Sequence, residues 1–482
     1  MNKRGVSTEL FIQQSNNETI YKNTKRIICH LMGIKVIVVG GGNAALSGAI
    51  EASERGNDVT LFEASTHALR GGNSKYTRDI RYAHDEDEFT SGSYPKDELR
   101  KDLLSVSGSF ENPEVAELVI DRSQEMAIWM QKHGITFKKE IRGTLNLSRT
   151  NAFFMGGGKV LIDTYYELIK KLKVKVIYEA PIISISITNG VVKGVTALIK
   201  NEKRQFTADK YIFASGGFES NKEWLSQFWG ESVKNIKIRG CKFNTGIPLR
   251  SLIENNALMC GAEKAGHMVA VDSRSPEYDA GITSRIDAIP FGIVVNKNGE
   301  RFYDEGEDIW PKRYAIWGRL IAEQESQVAY AIVDNKALGK FMPTAYPSID
   351  ANSVFDLAVK IHLEPQKLIH LVSAFNKGIT KNGEDVFNWS YHGSGVPKSH
   401  WAMPIDTPPF HAYPLSPGLT FTYQGVRINK TGRIILKDGE LENGFAAGEI
   451  ASGNVLRSGY LAGFGLTIGT TLGRLAGGWE ND

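Results

Sequence analysis

Val39-Gly40-Gly41-Gly42-Asn43-Ala44-Ala45 stands between an apolar run, residues 34–39, and a helix-like stretch, residues 43–55. The run Ile34-Lys35-Val36-Ile37-Val38-Val39 reads as a buried parallel strand. A second strand follows at Val59–Phe62, which makes the segment a βαβ unit. The linking stretch fits G-x-G-x-x-A. Gly40 permits the tight turn, Gly42 lets backbone N–H groups approach a pyrophosphate, and Ala45 permits close helix–strand packing. The helix N-terminus at Asn43 and Ala44 then faces the phosphates. Glu63 ends the second strand, 23 residues after Gly40, where an acid is expected on a ribose 2′-OH. An acid there argues against a 2′-phosphate. The alternative is a glycine-rich turn in some other α/β fold, which would need neither the helix start nor Glu63.

Composition agrees with a large globular α/β protein. The chain has 482 residues, 49 of them glycine, and no collagen-like period. Its formal charge is +3, and residues 1–31 alone carry that excess, with five basic and two acidic residues. The remaining body is neutral overall and offers no basic field for nucleic acid or membrane. The three cysteines, Cys29, Cys241 and Cys260, form neither a metal-ligand spacing nor a disulfide framework, which suits a reducing cytoplasm. No run reaches the ~18 apolar residues of a membrane span.

The pattern divides the chain. Residues 1–31 read as a disordered arm, and Met32 is a candidate start just before the first strand. Helices are expected at about 113–132 and 159–172. Strands are expected at 174–178, 181–199 with a turn at Asn189-Gly190, and 211–214. From about 266 aromatics, prolines and irregular stretches increase. A helix pair is expected at 352–376, capped by Ser353 and opened by Glu364-Pro365. After 418 the glycine-rich style returns, with 11 glycines between 439 and 478. The expected architecture is a discontinuous Rossmann-like domain, 32–265 and 420–482, with an inserted α+β capping domain at 266–419.

Three further stretches accompany the first motif. They are Gly71-Gly72-Asn73-Ser74-Lys75, Ala214-Ser215-Gly216-Gly217-Phe218 and Phe445-Ala446-Ala447-Gly448-Glu449. The last leads into Gly465-Leu466-Thr467-Ile468-Gly469 and a final helix. This layout resembles flavoproteins of the fumarate reductase/succinate dehydrogenase superfamily, over about 33–482. The resemblance implies FAD, with Glu449 near the ribitol and the start of the final helix facing the flavin edge. Nothing in Asn73-Ser74-Lys75 matches a covalent flavin histidine, so non-covalent FAD is expected.

Longer strings resemble one subgroup, the FAD-dependent tricarballylate dehydrogenases. They are Gly71 through Arg78, Leu147-Ser148-Arg149-Thr150-Asn151-Ala152-Phe153-Phe154, Arg301 through Asp308, Trp310 through Tyr314, and Gly459-Tyr460. The subgroup implies oxidation of tricarballylate to cis-aconitate, with electrons passed to a separate membrane-bound iron–sulfur protein. It therefore implies a cytoplasmic protein that can work at the inner membrane through that partner.

Such chemistry needs a hydride acceptor and cations that hold a carboxylate while charge moves onto it. Arg78, Arg81, Arg149, His267, Arg285 and Arg313 are candidates. By resemblance, Arg313 matches the arginine that shuttles the proton in fumarate reductases, with Glu305, Glu307 or Asp308 carrying it onward. Four extra residues separate Arg313 from Asn296-Lys297-Asn298-Gly299-Glu300-Arg301-Phe302 relative to the usual pattern. His267 resembles the histidine that grips a substrate carboxylate. Tyr460 stands where fumarate reductases carry a substrate-binding arginine, and a tyrosine is found near there in ketosteroid dehydrogenases. The alternatives are therefore a fumarate reductase-like enzyme, a 3-ketosteroid dehydrogenase-like enzyme, or a flavin electron-transfer subunit without its own substrate.

Overall fold

A computed structural model of the chain describes residues 33–138, 147–307 and 314–478. The arm 1–31, Met32, Asp308 and Arg313 lie outside the described residues.

The first sheet grows from the βαβ unit. Strand β1 (Lys35–Val39) buries four of its five residues, and helix α1 (Asn43–Glu54) leads to β2 (Asp58–Phe62). The two strands pair in parallel from Lys35↔Asp58 to Val39↔Phe62. Helix α2 (Gly157–Lys171) precedes β3 (Lys175–Ile177), which extends the sheet beyond β2. On the other side lies β4 (Lys210–Phe213), parallel to β1. A strand buried on both faces reads as a continuous apolar run, as β1 and β4 do.

The second sheet is mostly antiparallel and is built mainly from residues 266–422. Its strands are β5 (Gly266–Asp272), β6 (Ile293–Asn296), β7 (Ala329–Asp334) and the long β8 (Phe410–Thr422). The first part of β8 pairs with β7 and its last part with β5. A two-residue strand, Lys237–Ile238, pairs in parallel with Gly418 and Leu419 of β8. The chain then returns to the first sheet through β9 (Arg433–Leu436) and β10 (Gly439–Ala446). The first sheet therefore has the order β9–β10–β4–β1–β2–β3, with only the β9–β10 pair antiparallel. Helix α3 (Phe464–Gly477) closes the described chain and packs on α1.

Several local expectations change. The helix expected over 113–132 is two helices, Pro113–Arg122 and Met126–Lys132. At the joint, the Ser123 hydroxyl donates to the Ile120 carbonyl and accepts from the Ala83 N–H, which fixes a break. The hairpin over 181–199 has its turn at Asn189-Gly190, both with positive φ, and gains a third strand, Glu202–Phe206. No described helix is long and apolar enough to cross a membrane.

Candidate active site

Gly40 turns the chain out of β1 at φ +115, and a Cβ there would overlap the Ala214 carbonyl at the end of β4. Only glycine fits this close approach. Helices α1 and α3 lie in parallel with backbones nearly touching. A Cβ on Gly48 would stand 3.0 Å from the Gly473 carbonyl, and one on Gly477 would stand 2.6 Å from Glu51 Cβ. Asn43 stitches the helices by donating from Nδ2 to the Leu466 carbonyl (3.3 Å) and to Thr470 Oγ1 (2.9 Å). Both N-termini therefore open on the same cavity. Their partial positive charges add there, which favours an anionic ligand.

That cavity is long. Glu63, Gly40, Gly42, Asn43 and Ala44 line one part of it, with Gly72, Asn73 and Ser74 alongside. Ser215, Gly216, Gly448, Glu449 and Gly465 line it further on, leading to His267 and Tyr460. The buried Asn43 Oδ1 has no partner, while the Asn43 N–H donates to Ser74 Oγ (3.0 Å). Glu63 accepts from the Ser65 N–H (2.8 Å), and burial pushes its carboxyl up.

Four residues expected at the cofactor do not line the cavity. Gly71 has φ +103 and packs against Ile162. Gly217 makes room for Thr422 Oγ1 and Glu449 Oε1, which lie against its Cα. Thr467 donates its hydroxyl to the Arg81 carbonyl, and Ile468 is fully buried in the core. Gly71, Gly217, Thr467 and Ile468 thus lie outside the cavity lining, next to residues that form it.

The far end of the cavity is cationic and aromatic. The short strand Lys237–Ile238 delivers Arg239, β5 delivers His267, and the loop after β5 delivers Arg285. Arg285 is ion-paired with Asp287, its Nη2 donating to Oδ2 at 2.7 Å. Arg239 has no such partner. It is buried, its Nε and Nη1 lack hydrogen bonds, and no ion pair reaches it among the described residues. Burial pushes its guanidinium down to about 10, so it stays charged at neutral pH. Arg78 also lines the cavity and donates to Asp79 Oδ2 (3.2 Å).

His267 stacks flat on Tyr460, with centroids 4.0 Å apart, and meets Tyr314 edge-on at 5.5 Å. Burial, then the charges of Arg239 and Arg285, hold the imidazole well below its usual range. His267 is thus neutral, and its buried Nε2 has no partner. Burial pushes the Tyr460 phenol up, so it too stays neutral; its oxygen packs against Gly465.

Two cations offered by the sequence serve elsewhere. Arg149 does not line the cavity. It forks onto Glu98 and the Ser93 carbonyl, and its guanidinium covers the Tyr94 ring. Arg81 is buried against Tyr94, Asp102 and the Ala462 carbonyl. Glu305 is no free proton carrier either, since Arg301 forks onto it and the Val294 N–H donates to it. Conversely, Arg239, Asn244 and Tyr314 reach the cavity without having been singled out.

A family model described as "FAD binding domain" matches residues 35–466. The chain belongs to this FAD-binding family. An NADH:acrylate oxidoreductase of Vibrio harveyi is 23% identical over 99% of this chain and 54% of its own length. An NADH:fumarate oxidoreductase of Klebsiella pneumoniae is 23% identical over 87% of this chain and 44% of its own. The chain thus spans about half the length of these two relatives. The open conformation of a flavocytochrome c3 fumarate reductase shares the fold, with a TM-score of 0.72 and 20% identity. The match covers 94% of this chain and 80% of that one.

The residues fit FAD. Glu63, the two helix N-termini and the aromatic end line one cavity, and the buried Asn43 Oδ1 beside it has no hydrogen-bond partner in the protein. At Gly72 a Cβ would meet nothing within 4 Å, so its φ of +52 rather than crowding selects glycine.

Proposed function

We propose that the protein is an FAD-dependent oxidoreductase acting across a carbon–carbon bond that carries carboxylates. One observation carries this reading: Arg239 is buried at the cavity with two guanidinium nitrogens unpartnered. A buried, unpaired cation is unfavourable by several kcal/mol. A substrate carboxylate supplies the missing counter-charge.

Bound FAD supplies a two-electron hydride acceptor. Arg239 and Arg285 hold one carboxylate and stabilise the charge that builds on it as the adjacent carbon gives up its proton. Neutral His267 adds a hydrogen bond from its free Nε2 without adding charge. Arg78 offers a cation for a further carboxylate. Tyr460 fixes the His267 ring by stacking. Arg313, matched to the proton-shuttling arginine by resemblance, relays the proton, giving one on to Glu307 or Asp308 as it accepts the one from the substrate carbon.

Within that class we assign tricarballylate, oxidised to cis-aconitate, because several cations line one cavity and the subgroup strings match. The names of the acrylate and fumarate relatives support an unsaturated or saturated small acid. A 3-ketosteroid leaves Arg239 unpaired and is disfavoured. FAD is held without a covalent link, and its electrons pass to a separate membrane-bound iron–sulfur protein on the cytoplasmic side.

The test is anaerobic mixing of the yellow holoprotein with tricarballylate, succinate or a 3-ketosteroid. Bleaching of the flavin absorbance by tricarballylate is the expected result. The reduced protein should in turn be reoxidised by cis-aconitate. If no carboxylate bleaches or restores the flavin, the reading is wrong.

A further inference from the structure

Arg239 is placed at the cavity by its backbone, since its side chain makes no hydrogen bond among the described residues. Its N–H donates to the Leu419 carbonyl of β8 (2.8 Å), and its carbonyl accepts from the Gly281 N–H (3.0 Å). The Gly240 carbonyl accepts from the Asp279 N–H (2.9 Å). The next anchor is a side chain: the Cys241 N–H donates to Asn73 Oδ1 at 2.9 Å. The first three partners lie within residues 266–419, but Asn73 belongs to the Gly71–Lys75 loop beside the glycines of the first motif.

Asn73 commits its amide to the protein. Its Nδ2 donates to Glu219 Oε1 and to the Thr420 carbonyl, both at 2.6 Å. A primary amide has two N–H donors, and both are taken. Asn73 therefore has no N–H left for FAD, although it lines the cavity. Its two ends bridge neighbouring strands instead. Thr420 follows Leu419 in β8, and Cys241 lies just past the short strand Lys237–Ile238 that pairs with Gly418 and Leu419. The buried Glu219 is held by a second amide, Asn244 Nδ2 at 2.6 Å, which steadies the bridge from behind. The fit is tight, because a Cβ on Gly240 would overlap Asn73 Oδ1. Ser74, the next residue of the loop, accepts from the Asn43 N–H (3.0 Å). One loop thus touches both the N-terminus of α1 and the segment that carries Arg239.

We infer that Asn73 is a positioning residue for the substrate, clipping the Arg239 segment to the cofactor loop and so fixing where the guanidinium meets a carboxylate. The clip rests on the carboxylate reading of Arg239. It adds that one residue of a cofactor motif acts on substrate binding and not on FAD. A misplaced ligand group far from the chemistry is enough to weaken a site strongly.

Two variants of the FAD-loaded protein test this. Asn73→Ala removes the clip. Gly240→Ala leaves Asn73 in place but drives a Cβ against its Oδ1, so the test stands even if Asn73→Ala does not fold. Titration with tricarballylate, followed by melting temperature, gives a Kd without turnover. Either variant should raise that Kd about tenfold, while FAD content and the flavin spectrum stay those of the wild type. A residue that only supports the fold would lower the melting temperature and leave the Kd alone. A double-mutant cycle in kcat/KM gives the second readout. Asn73→Ala should lower kcat/KM about tenfold in the wild type, but less than about twofold in Arg239→Met, because the clip acts through Arg239. An unchanged Kd in both variants, a full tenfold loss in the Arg239→Met background, or loss of FAD with carboxylate binding intact overturns the clip. A wild type that binds tricarballylate without turning it over sinks the assigned reaction alone, and the Kd comparison still decides the clip. A wild type that binds no carboxylate overturns both.

Discussion

Arg239 is a buried charge held in place for something outside the chain. Its removal should therefore separate stability from activity. Arg239→Met keeps the volume and removes the unpaired cation, so the substrate-free protein should melt higher, by an amount on the order of 1 kcal/mol or more. The same change should lower kcat/KM for a carboxylate substrate by about 3 kcal/mol, roughly a hundredfold or more, with the FAD spectrum intact. Steady-state kinetics and a melting curve on one preparation decide it. A variant that melts lower and turns over normally would make Arg239 a structural residue. The glycines of the first motif give a second contrast at this scale. A Cβ on Gly40 runs into the Ala214 backbone, whereas a Cβ on Gly42 stands 3.3 Å from Ser74 Oγ, the tip of a side chain. Gly40→Ala should therefore destabilise the fold itself. Gly42→Val should leave a folded protein that purifies colourless. Equal FAD content in wild type and Gly42→Val would remove the phosphate-loop role.

The two helices α1 and α3 decide whether the cavity keeps its anion-attracting end. They touch through Gly48, Gly473 and Gly477, where a Cβ at Gly473 would overlap the Ala44 carbonyl. Gly473→Leu must push the helices apart, at about 1–3 kcal/mol for overpacking. It should also weaken FAD binding, because the N-termini at Asn43 and Phe464 no longer converge. Dialysis against increasing FAD measures this, and a destabilised protein with unchanged FAD affinity would refute the coupling. The legibility of the elements follows from locality. The strand–turn–helix at 35–54 and the Ser353 cap were readable because neighbouring residues determine them. Strand β8 was not, because Pro414, Pro417 and Gly418 interrupt its pattern while pairing on both sides still holds it. That loss hid Arg239, whose placement depends on a two-residue strand paired with Gly418 and Leu419. Arg149 failed in the opposite way. Its string matched, but Glu98, 51 residues away in sequence, takes its guanidinium.

At the scale of the whole molecule, two sheets contribute to the cavity in different currencies. The parallel sheet brings glycines and helix N-termini at the ends of β1 and β4, and the antiparallel sheet brings His267 and, through its short strand, Arg239. The body outside residues 1–31 has no net charge, so a carboxylate is attracted by local groups and not by the bulk field. Binding at the cationic end should then be separable from turnover. A ligand that binds only the folded state stabilises it by RT ln(1 + [L]/Kd), about 2.7 kcal/mol at a hundredfold excess over Kd. Tricarballylate or citrate should raise the melting temperature of the wild type by a few degrees, saturably. Sodium chloride at matched ionic strength should raise it much less, because screening does not reproduce a fork on a buried guanidinium. Arg239→Met should lose the ligand-induced rise while keeping its own higher baseline. A rise of equal size in Arg239→Met, or with chloride alone, would place the acid somewhere other than the cavity that Arg239 lines.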